Sequence, residues 1–161
     1  MSRVTKLESK ILILTGMKAI YSMYMAKKIA VIDGQGGGIG EQIIRKIRKV
    51  LPEDVSIIAL GTNAIAAANM MKAGANQGAS GENAVMVNVS RLGESDYIIG
   101  TVARLAANSM LGELTPKMAQ AIADSPAQKI LLPINTENIH VVGVTPEPLP
   151  HLIDKLIEQI K

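Results

Sequence analysis

Cysteine, phenylalanine and tryptophan are absent from this chain of 161 residues, and each absence excludes a class of protein. Without cysteine there is no disulfide framework and no thiolate metal site. The two histidines, His140 and His151, lie apart in sequence, so we expect no transition-metal centre. Three tyrosines are the only aromatic residues. The chain therefore lacks the stacking surface with which proteins bind single-stranded nucleic acid.

Excess basic charge is confined to the start of the chain. Residues 1–24 carry four basic and one acidic side chain, whereas residues 25–161 carry 13 of each, so the formal charge of +3 belongs to the first segment. A neutral body argues against a nucleic-acid partner, since such proteins draw most of their affinity from basic patches.

The first segment also contains an apolar run, residues 11–17, which is short of the roughly 20 residues that span a bilayer. We expect no membrane partner. We interpret residues 1–24 as a leader outside the fold and residues 25–161 as one domain. A short signal peptide and a weak amphipathic surface helix are the alternatives for the leader.

Short apolar runs alternate with helical patterns after residue 25. The runs predict six strands, at 28–33, 55–60, 84–89, 97–100, 129–134 and 139–144. Apolar stripes predict helices at 39–51, 64–72, 103–111, 116–123 and 149–160, with a loop at 74–83. The four-residue gap at 135–138 predicts a hairpin. The expected fold is α/β, a three-layer Rossmann-like doubly wound domain whose mainly parallel sheet has an antiparallel edge hairpin.

A glycine-rich loop separates the first strand from the first helix. Its glycines are Gly34, Gly36, Gly37, Gly38 and Gly40. Such a loop lets backbone N–H groups approach a phosphate closely, because no Cβ intervenes, and the helix start adds unpaired N–H groups and partial positive charge. The spacing G-x-G-x-x-x-G departs from the dinucleotide fingerprint G-x-G-x-x-G, and the Lys-Ser/Thr of a P-loop is absent. A tight turn that needs positive φ is the alternative interpretation.

Polar residues after three strands complete the predicted ligand site. Asp33 ends the first strand, where it could hold Mg²⁺ or a ribose hydroxyl, or accept hydrogen bonds from the loop itself. Thr62 and Asn63 follow the second strand as ligand contacts or as the N-cap of the next helix. Asn108 and Ser109 follow the fourth strand. The predicted ligand-binding residues are Asp33, Gly34, Gln35, Gly36, Gly37, Gly38, Ile39, Gly40, Thr62, Asn63, Asn108 and Ser109.

The end of the second strand argues against NAD or NADP as the ligand. A dinucleotide fold places an acid there for the ribose, or an arginine nearby for a 2′-phosphate, but Gly61, Thr62 and Asn63 supply neither. Glu113 is interpreted as a helix-end or surface residue. No nucleophile lies beside either histidine, so the sequence assigns no catalytic residue and no reaction.

A family resemblance is carried by the segments MAKKIAVIDGQGGGIGEQII, IIALGTNAIA, KAGANQGASGENAV, ANSMLGELTPKMA and EPLPHLID. They resemble a small bacterial family of unknown function that is associated with clostridial-type anaerobes. The most specific motifs are DGQGGGIG and GENA, and the resemblance runs from Met25 to the end of the chain. It implies a small cytoplasmic protein, leaves the leader without a counterpart, and assigns no activity or cofactor.

The sequence leaves two functions open. In the first, the protein binds a nucleotide, a dinucleotide or another small phosphorylated ligand at Gly34–Gly40, as a sensor or as an enzyme of unidentified reaction. In the second, it is a non-catalytic interaction module that forms a homo-oligomer, and its glycine loop is purely structural.

Overall fold

A computed structural model describes residues 13–17, 27–134 and 138–161. Residues 13–17 are helical, with exposed side chains. The remainder of the expected leader lies outside the described residues, as do residues 135–137 of the predicted hairpin loop. Within the described ranges, no helix combines the length and the apolar character needed to cross a membrane.

A sheet of five parallel strands forms the middle layer. The strands are β1 (Lys28–Asp33), β2 (Ser56–Gly61), β3 (Gln77–Ser80), β4 (Tyr97–Thr101) and β5 (Gln128–Leu132). The helices are α1 (Gly38–Val50), α2 (Ala64–Lys72), α3 (Glu82–Val89), α4 (Pro116–Asp124) and α5 (Leu149–Ile160), and a 3₁₀ turn covers Val102–Leu105. The strand order is β3-β2-β1-β4-β5, and every neighbouring pair is parallel.

Helices cover both faces of the sheet because its strands are apolar on both sides. Successive residues of a strand point to opposite faces. Ile29 and Val31 of β1 pack in the cluster that contains α1, α2 and α5, whereas Ala30 and Ile32 pack in the cluster that contains α3 and α4. The predicted three-layer, Rossmann-like α/β fold is therefore confirmed.

The predicted antiparallel edge hairpin is wrong. β5 pairs with β4 in parallel, and the described residues after it form no sixth strand at 139–144. A turn interrupts this apolar run: the N–H of Val144 donates to the carbonyl of Val141, and Gly143 has φ +85°. An extended strand cannot continue through a positive φ, so the run is broken despite its composition.

The predicted order of loop and strand between residues 74 and 89 is also wrong. β3 lies within the predicted loop, and the predicted strand at 84–89 lies within α3. Val85 and Val89 are the buried residues of α3, a spacing of four that belongs to a helix. Gly81 has φ +92° and allows the sharp change from strand to helix. The start of α3 consequently lies at the carboxyl edge of the sheet.

The predicted helix at 103–111 is reduced to the 3₁₀ turn at Val102–Leu105. Positive φ angles at Asn108, Met110 and Leu111 are incompatible with a continuing right-handed helix. The segment instead folds as a series of turns at the carboxyl end of β4, where it reaches the glycine loop.

Candidate functional site

A cavity of about 510 Å³ opens at the carboxyl edge of the sheet, between β1 and β4. The pairing of these two strands stops at Val31 and Ile99, before either strand ends. From there the chain passes to α1 on one face and towards α4 on the other, so the two connections diverge and leave a crevice. Ligands of open α/β sheets bind at this kind of switch point.

Both connections contribute to the wall of the cavity. The side that follows β1 supplies Asp33, Gly34, Gln35, Gly36, Gly37, Gly38, Ile39 and Gln42, and the side that follows β4 supplies Thr101, Ala103, Arg104 and Met110. The glycine loop is therefore the longest continuous part of the lining.

Most N–H groups of the glycine loop are already paired within the protein. Those of Gly34 and Gly40 donate to the two carboxylate oxygens of Asp33, at 2.8 and 2.7 Å, and that of Gly37 donates to the carbonyl of Gly34. Within residues 27–134 and 138–161, the N–H groups of Gly36, Gly38 and Ile39 donate to no acceptor. These three unpaired donors lie at the start of α1, whose N-cap residue is Gly37 and so has no side chain to accept from them.

Three of the glycines are required by the packing of the protein itself. A Cβ on Gly37, whose φ is +71°, would lie 2.8 Å from the Cα of Ala66. A Cβ on Gly40 would lie 2.5 Å from the sulfur of Met70, and a Cβ on Gly34 would lie equally close to the hydroxyl of Thr62. The alternative interpretation, a tight turn that needs positive φ, accounts for Gly37, whereas Gly34 and Gly40 are constrained by close packing.

Gly36 and Gly38 have no such requirement. A Cβ on either would meet nothing within 4 Å, and neither residue has a positive φ. Glycine at the start of a helix still costs conformational entropy relative to alanine. Because both residues line the cavity, their missing side chains leave its wall accessible to a close backbone contact.

A buried ion pair lies beneath the loop. Nη2 of Arg104 is 2.7 Å from Oδ1 of Asp33, and each residue is 4% exposed. Arg104 also donates from Nε to the carbonyl of Ile32 at 3.3 Å and from Nη1 to the sulfur of Met110 at 2.7 Å. Burial lowers the pKa of Arg104, and the charge of Asp33 opposes that effect. Asp33 therefore accepts bonds from the loop, the second of the roles expected for it.

Glu113 joins the glycine loop to the end of β2. Its Oε2 accepts hydrogen bonds from the N–H of Gln35 at 2.8 Å, the hydroxyl of Thr62 at 2.6 Å and the amide of Asn63 at 3.0 Å. The bonds from Gln35 and Thr62 hold the pKa of this carboxyl below its ordinary value. The oxygen of the Asn63 side chain accepts from the N–H of Ala66, so Asn63 is the predicted N-cap of α2.

The structure brings together most, but not all, of the predicted site residues. Residues 33–39 line the cavity, Gly40 packs behind it, and Thr62 and Asn63 hold the loop through Glu113. Asn108 is exposed, and the buried hydroxyl of Ser109 donates to the carbonyl of Ala103; neither lines the cavity. Ligand contact by these residues stays a prediction.

Sequence reasoning missed six residues of this region: Gln42, Thr101, Ala103, Arg104, Met110 and Glu113. Thr101 and Arg104 follow β4, and their place beside the strand adjacent to β1 is visible only once the strand order is known. The segment that carries Met110 and Glu113 has an apolar pattern that favours a helix, so the sequence contains no signal that they turn back to the glycine loop.

Comparison with known proteins places the chain in a family without assigning an activity. No curated protein and no solved structure matches it significantly. The model of the family described as "Domain of unknown function (DUF3842)" matches residues 28–161. This range begins with β1 and includes α5, so it contains both walls of the cavity. The expected family of unknown function is thereby confirmed, and the clostridial association stays a prediction. The chain belongs to the DUF3842 family.

Proposed function

We propose that this protein binds a nucleotide or another phosphorylated small ligand at the Gly34–Gly40 loop. The observation that carries the proposal is the set of unpaired N–H groups on Gly36, Gly38 and Ile39 at the edge of the cavity. Backbone N–H groups at a helix start attract anions, because the helix dipole adds about half a positive charge to their own partial charges.

The shape of the site supports the same conclusion. The volume of about 510 Å³ lies within the range of small-molecule sites, roughly 300–1,000 Å³. The absence of a Cβ on Gly36 and Gly38 lets phosphate oxygens come within hydrogen-bond distance of the backbone. Nothing else in the described packing accounts for glycine at these two positions.

The charge of the site favours a phosphate that carries few charges. Asp33 and Arg104 are the only charged side chains among the described lining residues, and they neutralise each other. A terminal phosphate group is commonly bound with a lysine or a metal ion, as in a P-loop. N–H groups and a helix dipole suffice for a diphosphate in dinucleotide folds, so we expect a diphosphate to bind here without a metal ion.

The test is thermal unfolding of the whole chain with ADP, NAD⁺ and inorganic pyrophosphate as probes. A probe at 100 times its dissociation constant adds about 2.7 kcal/mol to the free energy of unfolding. The double variant Gly36→Ala and Gly38→Ala should keep the unfolding temperature of the free protein and lose the rise caused by the probe.

Gly93→Ala is the matched control, because its Cβ would have a nearest neighbour at 3.9 Å and it lies outside the cavity lining. It should retain the full response to each probe. The proposal is wrong if no probe raises the unfolding temperature of the wild type, or if the double variant responds as strongly as the wild type does.

A homo-oligomeric interaction module is the second candidate, and one observation favours it. Leu111 and Val142 are each 98% exposed, which is unusual for large aliphatic side chains. If a second copy of the chain covers them, light scattering will show an oligomer that Leu111→Ser or Val142→Ser converts to a monomer. A wild-type monomer at all concentrations would contradict this candidate.

A further inference from the structure

Glu113 lies at the carboxyl end of β2 although it belongs to the segment between β4 and α4. Its Oε2 contacts Thr62, the residue that follows β2, across a separation of 51 residues in the chain. In doubly wound sheets that bind dinucleotides, an acid beside the glycine loop at this point hydrogen-bonds the ribose. The residues after β2 contain no acid, but the fold brings one to this position from a distant segment.

The carboxylate of Glu113 has an oxygen available for a ligand. All three of its donors bond Oε2, and no residue within the described ranges donates to Oε1. The group is half-buried, and its lowered pKa keeps it ionised near neutral pH. An ionised carboxylate accepts hydrogen bonds more strongly than a neutral group does. The donors on Oε2 also fix its position, so little entropy would be lost when it binds a hydroxyl group.

The contact with Gln35 places this carboxylate next to the proposed phosphate site. Gln35 lines the cavity and directly precedes Gly36, the first residue with an unpaired N–H. The N–H of Gln35 is occupied by Glu113, whereas that of Gly36 is open. Glu113 is not itself among the lining residues, but its carboxylate at Gln35 adjoins the open N–H of Gly36. An acceptor followed by N–H donors complements a hydroxyl-bearing group joined to a phosphate.

We infer that Glu113 accepts hydrogen bonds from vicinal hydroxyl groups of the ligand. This inference rests on the proposed phosphate site and narrows its ligand class to ribonucleotides, as against deoxyribonucleotides or simple phosphates. Glu113 is then the residue that sets specificity for the sugar. Glu113 also supplies the acid that is missing after β2. The absence of that acid was the sequence argument against a dinucleotide.

The inference is tested by calorimetric titration of the whole chain with ADP, 2′-deoxy-ADP and pyrophosphate. The wild type should bind ADP about 10-fold or more tightly than 2′-deoxy-ADP, since hydrogen bonds to charged groups have this magnitude. Glu113→Gln should weaken the binding of ADP most, that of 2′-deoxy-ADP less because it retains only the 3′-hydroxyl, and should not weaken the binding of pyrophosphate. Glu94→Gln removes an exposed acid and should retain the wild-type preference.

The possible results distinguish failure of the inference alone from failure of the proposed function. Equal wild-type affinities for ADP and 2′-deoxy-ADP would overturn the diol assignment and leave the phosphate site standing. Equal weakening of all three probes by Glu113→Gln would show that Glu113 only positions the loop, and would also overturn it. If none of the probes binds the wild type, the inference and the proposed function both fail. The wild-type comparison needs no variant and so does not depend on the folding of Glu113→Gln.

Discussion

Arg104 and Asp33, 71 residues apart in the chain, form a buried ion pair with 2.7 Å between Nη2 and Oδ1. The pair joins the end of β1 to the turn after β4, directly beneath the glycine loop. Asp33 also holds the first and last glycines of the loop through its two oxygens. This pair of side chains therefore links the two ends of the loop to the strand on the other side of the cleft.

Loss of the guanidinium should strongly destabilise the protein. Arg104→Met leaves the buried carboxylate of Asp33 without its counterion, and such a loss costs about 3–5 kcal/mol. Urea unfolding of the whole chain measures the change. Lys46→Met, which breaks the exposed pair with Asp154, is the control and should cost less than about 1 kcal/mol. The double variant Asp33→Asn with Arg104→Met should lose less than the sum of the single changes, and simple additivity would contradict the coupling.

Substitution by alanine should destabilise the protein at Gly37 but not at the neighbouring Gly36. Gly37→Ala forces a Cβ into Ala66 at a positive φ, so we expect a loss of more than about 1 kcal/mol. Gly36→Ala enters open space without strain and should leave the protein equally stable or up to about 1 kcal/mol more stable. Thermal unfolding of both variants without ligand checks this. Similar losses for both would mean that Gly36 also has a structural role.

The lowered pKa of Glu113 predicts a stability effect at acid pH. Because the carboxyl is a stronger acid in the folded protein, its contribution is fully present above the ordinary glutamate value, about 4.3. The contribution is lost as the pH falls through the lower folded value. The difference in unfolding midpoint between the wild type and Glu113→Gln should therefore shrink as the pH falls below about 4.3. A difference that is independent of pH would contradict the assigned hydrogen bonds.

Arg48 should contribute more to stability than its position on a charged helix face indicates. It donates to the carbonyls of Gly74 and Val55, at 2.7 and 2.9 Å, and to the side-chain oxygen of Asn76. Its removal leaves the partly buried carbonyl of Val55 without this donor and frees two exposed acceptors, so Arg48→Ala should cost about 1 kcal/mol or more in urea unfolding. Arg45→Ala loses only an exposed helical pair with Glu41 and should cost about 0.5 kcal/mol or less. Equal costs would refute the interpretation.

The sequence predicts those strands and helices whose buried residues recur with the period of a strand or of a helix. The apolar runs of β1, β2 and β5 and the apolar stripes of α1 and α5 are visible in the sequence because each packs a regular face against the core. β3 is not visible, because Gln77–Ser80 has no large apolar residue and is held by backbone pairing with Ile58–Gly61 of β2. The segment after it contains enough valine to resemble a strand, yet only Val85 and Val89 are buried.

Local sequence likewise predicts one part of the site, and tertiary packing determines the rest. The glycine loop is predictable, since it contains more glycines than a turn requires and it follows a buried strand. The contributions of Arg104 and Glu113 depend on the strand order and on a series of turns with positive φ, at Asn108, Met110 and Leu111. These conformations are uncommon for residues other than glycine and arise from tertiary packing, so local propensity does not predict them.

The strands β1 and β4 separate after Val31 and Ile99, and the side chain of Arg104 occupies the gap. Its Nε donates to the carbonyl of Ile32, at the place where a further rung of the parallel ladder would form. Gly100 makes room for it, since a Cβ there would lie 2.9 Å from Cγ of Arg104. The guanidinium thus takes the place of the next backbone hydrogen bond between β1 and β4, and it lines the cavity where the two strands separate.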